Sequence, residues 1–368
     1  MNVAMVYPHP DSEKGISAYS LGLIDNIRKQ GVKIEGQSFF QGKPSTIFDK
    51  IFGLRKYDVI HIQHEYNLLG GFGTPYFLLL GFLWLLKKKF IIVTMHNVLS
   101  QEEKFNSGRL KTALRKILYK IQNRWINWTS DKVVVHSKSF RKILIKEYGF
   151  KKNKITVLPH AIIENIKTIN QIKAKKELNL SGPVYLMIGT MVPDHGHDIV
   201  INQADKIGKT IVVATNPSAV NYKNKSKIID FLKLNQSIIK IKKLEKFVRL
   251  DLGPISYDKW WKYLSAADLI LLPYRGGIGS GIFADAMAIK KPVIGSNIPY
   301  FKEFAQEYGC ITLAENENDF PRAIKTAMKP RNYRKMVSEC KRYFNENGLT
   351  PISKKYKILY ESLTNQIK

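Results

Sequence analysis

The feature that most restricts the fold is a series of short apolar runs, each followed by a longer amphipathic stretch, that occurs twice. VAMVY (3–7), DVIHIQ (58–63), FIIVTMH (90–96), KVVVHS (132–137) and ITVLPHA (155–161) form the first series. VYLMIGT (184–190), TIVVATN (210–216), VRLDLG (248–253), LILLPY (269–274) and PVIGS (292–296) form the second. Continuous apolar runs separated by helix-length spacers predict parallel strands buried on both faces, with helices as the crossovers. Two series in 368 residues predict an α/β chain of two doubly wound, Rossmann-like domains. The polar, lysine-rich ENIKTINQIKAKKELNLSGP (164–183) ends in Gly-Pro and marks the hinge, giving domains 1–165 and 166–346. From about 347, Ile352, Tyr356, Leu359, Tyr360 and Leu363 recur at helical spacing and predict a final packed helix.

A composition of 44% hydrophobic and 24% charged residues is that of a packed chain and excludes disorder. Two cysteines, Cys310 and Cys340, exclude a disulfide framework. The opening MNVAMVYPHP lacks the regions of a signal peptide, so a cytoplasmic setting is expected. The formal charge of +29 calls for an anionic partner: nucleic acid, acidic lipid headgroups or phosphorylated small molecules. No nucleic-acid reader motif is visible, and the aromatics fall inside apolar runs instead of forming a stacking platform, so specific nucleic-acid binding is the weakest of these readings.

Ligands of doubly wound sheets sit at the carboxyl ends of strands, where loops enter helices. After LILLPY the chain runs Arg275-Gly276-Gly277-Ile278-Gly279-Ser280-Gly281 and then reads as a helix to Ile289 carrying one acid, Asp285. Glycines let backbone amides approach a ligand, and free amides at a helix N-terminus favour phosphate. A tight turn is the plainer use of the same glycines. EKGISAYSLGLIDNIRKQG repeats the pattern near the start of the chain, with Gly15 opening an amphipathic helix.

In this order, GISAYSLGLIDNIRKQG, YDVIHIQHEYNLLGG, FIIVTMHNVL, VVVHSKSFRKIL, KITVLPHAI, YLMIGTMVPDHGHD and LGPISYDKWWKYLSAADLILLPYRGGIGSGIFADAMAIKKPVIGS resemble the family 4 glycosyltransferases of the GT-B fold. The resemblance implies two Rossmann-like domains facing a cleft, the first for the acceptor and the second for the donor, with the last helix crossing back to the first. It implies transfer of a sugar from a UDP- or GDP-linked donor with retention of configuration. Asp285 stands where the family's second Glu of Glu-x7-Glu binds the ribose hydroxyls; the first is replaced by Gly277. Thr190 and His195 stand near the family's diphosphate-neutralising Arg and Lys. Charge balance is then expected from protonated His195, Arg275 and the amides of Gly279, Ser280 and Gly281, which predicts activity favoured by mildly acidic pH. His96 resembles the histidine that faces the donor sugar and is the expected catalytic residue, while His160 reads as hinge packing. The front-face mechanism implied by the resemblance lets the departing phosphate take the acceptor proton, so no separate base is required. Glu65 and Tyr66 lie in a loop on the acceptor side and are expected acceptor contacts. Asp194, His195, His197 and Asp198 crowd one turn and rarely converge on one ion, and no Asp-x-Asp occurs. Metal-independent chemistry without a cofactor is expected. The departures at Gly277, Thr190 and His195 also fit a catalytically inactive, glycosyltransferase-like binding module.

Two segments bear on the acceptor. YFLLLGFLWLL (76–86), followed by Lys87, Lys88 and Lys89, is too short to span a bilayer. GRLKTALRKILYKIQNRWINW (108–128) carries Arg109, Lys111, Arg115, Lys116, Lys120 and Arg124 without an acid, beside a stripe of Leu110, Leu114, Ile117, Leu118, Ile121 and Trp125. Such a helix suits an anionic membrane surface and a lipid-linked or glycan acceptor. Ordinary core helices with a solvated lysine face are the alternative.

Overall fold

The computed structural model describes residues 1–13, 15–43, 45–66, 68, 81, 90–102, 108–164, 166, 168–217, 225–276 and 279–365. The apolar segment 76–86 and Lys87–Lys89 lie outside these residues except for Gly81, and so does Gly277. The chain divides into two compact units, Met1–Ala161 with Asn347–Lys368 and Ile162–Glu346.

The first unit is built on a parallel sheet of six strands in the order β2-β1-β3-β4-β5-β6: β1 (Asn2–Pro8), β2 (Lys33–Phe39), β3 (Val59–His64), β4 (Phe90–Met95), β5 (Lys132–Val135) and β6 (Ile155–Val157). β1, β3 and β4 are buried along nearly their whole lengths, as their unbroken apolar runs require. β2 is an edge strand whose sequence KIEGQSF buries only Ile34 and Phe39, so it carries no apolar run to announce it.

Helix Leu349–Thr364 belongs to this unit. Ile352, Tyr356, Leu359, Tyr360 and Leu363 join Tyr19, Leu23 and Ile27 of helix Gly15–Lys29 in one core. A Cβ on Gly22 would lie 3.2 Å from Leu349, so glycine permits the close approach of the two helices. Buried polar groups fix the register. Tyr360 OH meets His61 Nδ1 at 2.7 Å, His61 Nε2 meets Thr94 Oγ1 at 2.7 Å, and Tyr356 OH meets Thr94 Oγ1 at 3.1 Å. Burial holds the His61 pKa at about 3, so the ring bonds as a neutral group.

The second unit repeats the plan in the order β12-β11-β10-β7-β8-β9, again all parallel: β7 (Val184–Ile188), β8 (Thr210–Thr215), β9 (Val248–Leu252), β10 (Leu269–Leu272), β11 (Val293–Ser296) and β12 (Ile311–Ala314). β12 is a second edge strand with no counterpart in the expected set. The lysine-rich stretch expected as a hinge contains helix Gln171–Glu177, capped by Asn170. Gln171 Nε2 donates to Ala267 O at 2.9 Å and Lys175 Nζ pairs with Asp268 at 2.7 Å, which binds this helix to the second unit. Among the described residues, no helix is long and apolar enough to cross a membrane.

Candidate functional site

In the second sheet the chain leaves β7 toward β8 and β9, then returns on its other side through β10, β11 and β12. β7 and β10 are therefore the switch point, where loops diverge and leave a crevice at the carboxyl ends of the strands. Thr190, His195, Arg275, Gly279, Ser280, Gly281 and Asp285 come from these two ends. After β10, Ser280 caps helix Gly281–Ala288: its Oγ accepts from Phe283 N at 3.1 Å and meets Tyr274 OH at 3.1 Å. Among the described residues none accepts a hydrogen bond from the amides of Gly279 or Gly281, and a Cβ on Gly281 would meet nothing within 4 Å. The Ser280 backbone is bonded to the Tyr300 hydroxyl.

Two glycines bring the β7 loop against this one. Gly189, at φ +110°, would set a Cβ 3.0 Å from Ile282, and Gly196, at φ +63°, would drive one to 2.0 Å from Pro273 O. Both positions require glycine. His195 consequently stacks on Tyr274, with centroids 4.8 Å apart. Arg275 donates to Pro193 O at 2.8 Å, forms a two-pronged pair with Asp198 at 2.8 Å and reaches Glu317 at 3.2 Å.

Asp285 lies one turn into the helix and accepts from Trp260 Nε1 at 3.0 Å. Burial pushes its carboxyl up to about 7, and the indole N–H offsets only part of that rise. The acid is poised to give up its proton where a ligand offers hydroxyl donors. His195 Nδ1 lies 2.7 Å from Thr190 O. A carbonyl only accepts, so Nδ1 carries the proton and Nε2 keeps a lone pair while the ring is neutral. Burial lowers the His195 pKa.

The first unit holds a histidine cluster. β3 and the turns after β4, β5 and β6 carry His64, His96, His136 and His160 at neighbouring strand ends. Ring centroids lie 5.0 Å apart for His96 and His136, 5.2 Å for His136 and His160, and 6.0 Å for His96 and His160. Tyr19 meets His96 edge-on at 5.0 Å. His136 Nδ1 donates to Leu158 O at 2.9 Å, leaving its Nε2, 3.3 Å from His96 Nδ1, as an acceptor. His96 Nε2 donates to Gln63 Oε1 at 2.8 Å. Burial first, then the neighbouring histidines, hold His96 well below its ordinary pKa.

A family model described as Glycosyltransferase Family 4 matches residues 3–164, and one described as Glycosyl transferases group 1 matches residues 168–343. The chain belongs to the family 4 glycosyltransferases. Solved structures agree on a GT-B architecture. Sucrose-phosphate synthase from Thermosynechococcus elongatus is similar at TM-score 0.77 and 15% identity, covering 100% of both chains. Anabaena HepE in complex with UDP-glucose is similar at TM-score 0.71 and 14% identity, covering 98% of this chain and 99% of that one. The catalytic domain of starch synthase IV from Arabidopsis thaliana, bound to ADP and acarbose, is similar at 0.65 and 14%, covering 98% and 99%. No curated protein matches by sequence.

Within this glycosyltransferase the structure gathers Thr190, His195, Arg275, Gly279, Ser280, Gly281 and Asp285 at one switch point, and corrects several expected roles. Arg275 is committed to Asp198 and Glu317, so it braces the two loops and is not a free counter-ion for a diphosphate. Burial lowers the His195 pKa, which works against the protonated ring expected to supply charge, and its Nδ1 is already bonded to Thr190 O. In the first unit the amides of Gly15, Ile16 and Ser17 are bonded to Glu13 at 2.8, 2.6 and 3.2 Å. The Gly15 loop is filled by the chain's own carboxylate, which overturns its reading as a donor contact. Tyr66 is fully buried, its hydroxyl held by the Asn123 amide at 3.1 Å and Leu99 N at 3.3 Å, so it shapes the core and touches no acceptor. Glu65 stays partly exposed at the end of β3. His160 packs 4.5 Å from Tyr19 within the cluster and lies beside the boundary of the first unit at Ala161. His136 was not singled out in the sequence, although four successive strand segments each carrying a histidine at or near the end was a visible signal.

Proposed function

We propose that this glycosyltransferase moves a hexosyl group from a UDP- or GDP-linked donor to a lipid-linked or glycan acceptor, with retention and without a metal. The observation that carries the donor reading is the switch point of the second unit. There the open amides of Gly279 and Gly281 begin a helix whose next turn presents Asp285, a pairing suited to a phosphate and a ribose. Solved structures of like fold in complex with UDP, UDP-glucose and ADP support a nucleotide ligand.

In this reading Asp285 ionises as ribose hydroxyls donate to it, and the amides of Gly279 and Gly281 hold the departing diphosphate. His195 Nε2 accepts from a sugar hydroxyl. His96 contacts the donor sugar by exchanging Gln63 Oε1 for a sugar hydroxyl oxygen as the acceptor of its Nε2–H. The phosphate that leaves takes the acceptor proton. Among the described residues no three His, Cys, Asp or Glu are arranged to hold a metal, and Asp198 is already paired with Arg275. The charge of +29 supports an anionic acceptor surface, and a cytoplasmic location, on the inner face of a membrane, is part of the same reading.

The test is release of UDP or GDP from a panel of nucleotide sugars, with and without a membrane lipid extract, followed by NMR of the product's anomeric configuration. Extract-dependent release with retention is expected. Tight nucleotide binding with no turnover on any acceptor fraction would make the chain a binding module, and inversion at the anomeric carbon would overturn the mechanism.

A further inference from the structure

Helix Arg109–Thr129 faces two ways. Tyr119, Gln122, Asn123 and Ile126 are buried in the first unit. On the opposite side Leu110, Leu114, Ile117, Ile121 and Trp128 recur at helical spacing and are exposed, from 48% at Ile121 to 85% at Leu110. An amphipathic helix of a globular unit turns its apolar stripe inward; this one presents a second apolar stripe outward. Arg109, Lys120 and Arg124 line one side of that stripe and are exposed, and 108–128 contains no acid.

The C-terminal end of the stripe opens on a hollow of 360 Å³ formed by Arg124, Asn127, Trp128, Gly149, Lys151 and Lys154. Lys154 is oriented by donating to Asn127 O, and Asp131, an acid whose charge acts on it, accepts from Ile91 N at 2.7 Å. Trp128 thus borders both an apolar ridge and a cationic hollow, the amphipathic position that indoles take at a bilayer surface. A second copy of the chain is a poor occupant, because it brings the same +29 charge.

We propose that this face docks on an anionic bilayer, with the outward stripe in the headgroup boundary and a lipid phosphate in the hollow. The proposal rests on the membrane-borne acceptor of the function above for its purpose, and gives that acceptor the surface on which it is met.

The experiment is flotation of the whole protein with phosphatidylcholine vesicles, with and without phosphatidylglycerol, at low and high salt. Two variants are compared, Leu114→Ser/Ile117→Ser/Ile121→Ser and Arg124→Gln/Lys151→Gln, each checked for unchanged circular dichroism and unchanged UDP affinity. The wild type is expected to float only with anionic vesicles. The apolar variant loses partition at least about tenfold at either salt, and the cationic variant loses roughly twentyfold at low salt and little at high salt, since each basic residue near such a surface is worth about fivefold. Equal flotation of wild type and both variants, or none by the wild type, overturns the proposal. So does a wild-type dimer that the apolar variant abolishes, which would assign the stripe to self-association, or competition by inorganic phosphate alone, which would assign the hollow to a soluble anion. Docking as expected with no turnover on any lipid extract leaves this proposal standing and removes the acceptor reading.

Discussion

The two glycine loops of this glycosyltransferase read alike and are built differently. Gly15 and Gly281 each open a helix after a strand of a parallel sheet, with amides and helix dipole arranged for an anion. In the first unit that anion is part of the chain: Glu13 takes three successive amides. In the second, the Ser280 hydroxyl takes Phe283 N and its carbonyl Ala284 N, and the amides of Gly279 and Gly281 have no acceptor among the described residues. The difference teaches that a glycine-rich helix start advertises an anion site, and that a carboxylate two residues upstream suffices to close it.

The largest test of this contrast is Gly196→Ala. Its Cβ would lie 2.0 Å from Pro273 O at a φ of +63°, so the β7 loop must leave the β10 loop. A loss of about 3–5 kcal/mol is expected from strain and overpacking together, read by chemical denaturation, with UDP binding lost as the loops part. Near-native stability would mean the two loops do not depend on one another.

Asp285→Asn comes next and acts in two directions. The carboxyl pKa is raised from 3.8 to about 7, so the folded state favours the neutral acid. Stability is greatest below pH 3.8, falls as pH rises toward 7, and carries the full penalty above it. The amide removes that penalty, raising stability at pH 8 by on the order of 2–4 kcal/mol, while donor affinity falls about tenfold with loss of the charged acceptor. Wild-type UDP affinity should therefore strengthen from pH 6 to pH 8, the reverse of what a protonated His195 would give. Calorimetric titration across that range decides between them; weakening affinity would restore His195 as the counter-charge.

Gly281→Ala separates ligand from fold. Nothing lies within 4 Å of the added Cβ, so melting is unchanged, while the methyl group adds bulk beside the amide proposed to hold the phosphate. A fall of roughly tenfold in UDP affinity is expected; unchanged affinity would show that the diphosphate lies elsewhere. The smallest effect belongs to Glu13→Gln, which weakens a helix cap by about 1 kcal/mol and leaves UDP affinity alone. A donor affinity that moved with Glu13 would reopen the first loop as a donor contact.

Much of the fold was legible because both sheets are parallel and buried, so their central strands appear as unbroken apolar runs. β2 and β12 were missed for the complementary reason: an edge strand buries one face or a few residues, and KIEGQSF and ITLA carry too little apolar signal. The donor-side residues were legible in position, since strand-end glycines and the acid of the following helix have fixed spacing. Their electrostatic roles were not. Arg275 looked free because Asp198 and Glu317, its partners, are distant in sequence, and Tyr66 looked like a loop residue because Asn123, which holds it, lies 57 residues on.

What the sequence determined by itself was periodicity: which segments are strands, where each series restarts, and where glycine admits a backbone conformation that other residues resist. These are local properties, set by sterics and burial within a few residues. Only the tertiary structure decided which charges are spent. Whether Glu13 fills an amide nest, whether Arg275 faces a ligand or an aspartate, and whether His96 keeps a free nitrogen all depend on partners brought together by sheet order, because electrostatic pairing follows distance in space and not distance along the chain.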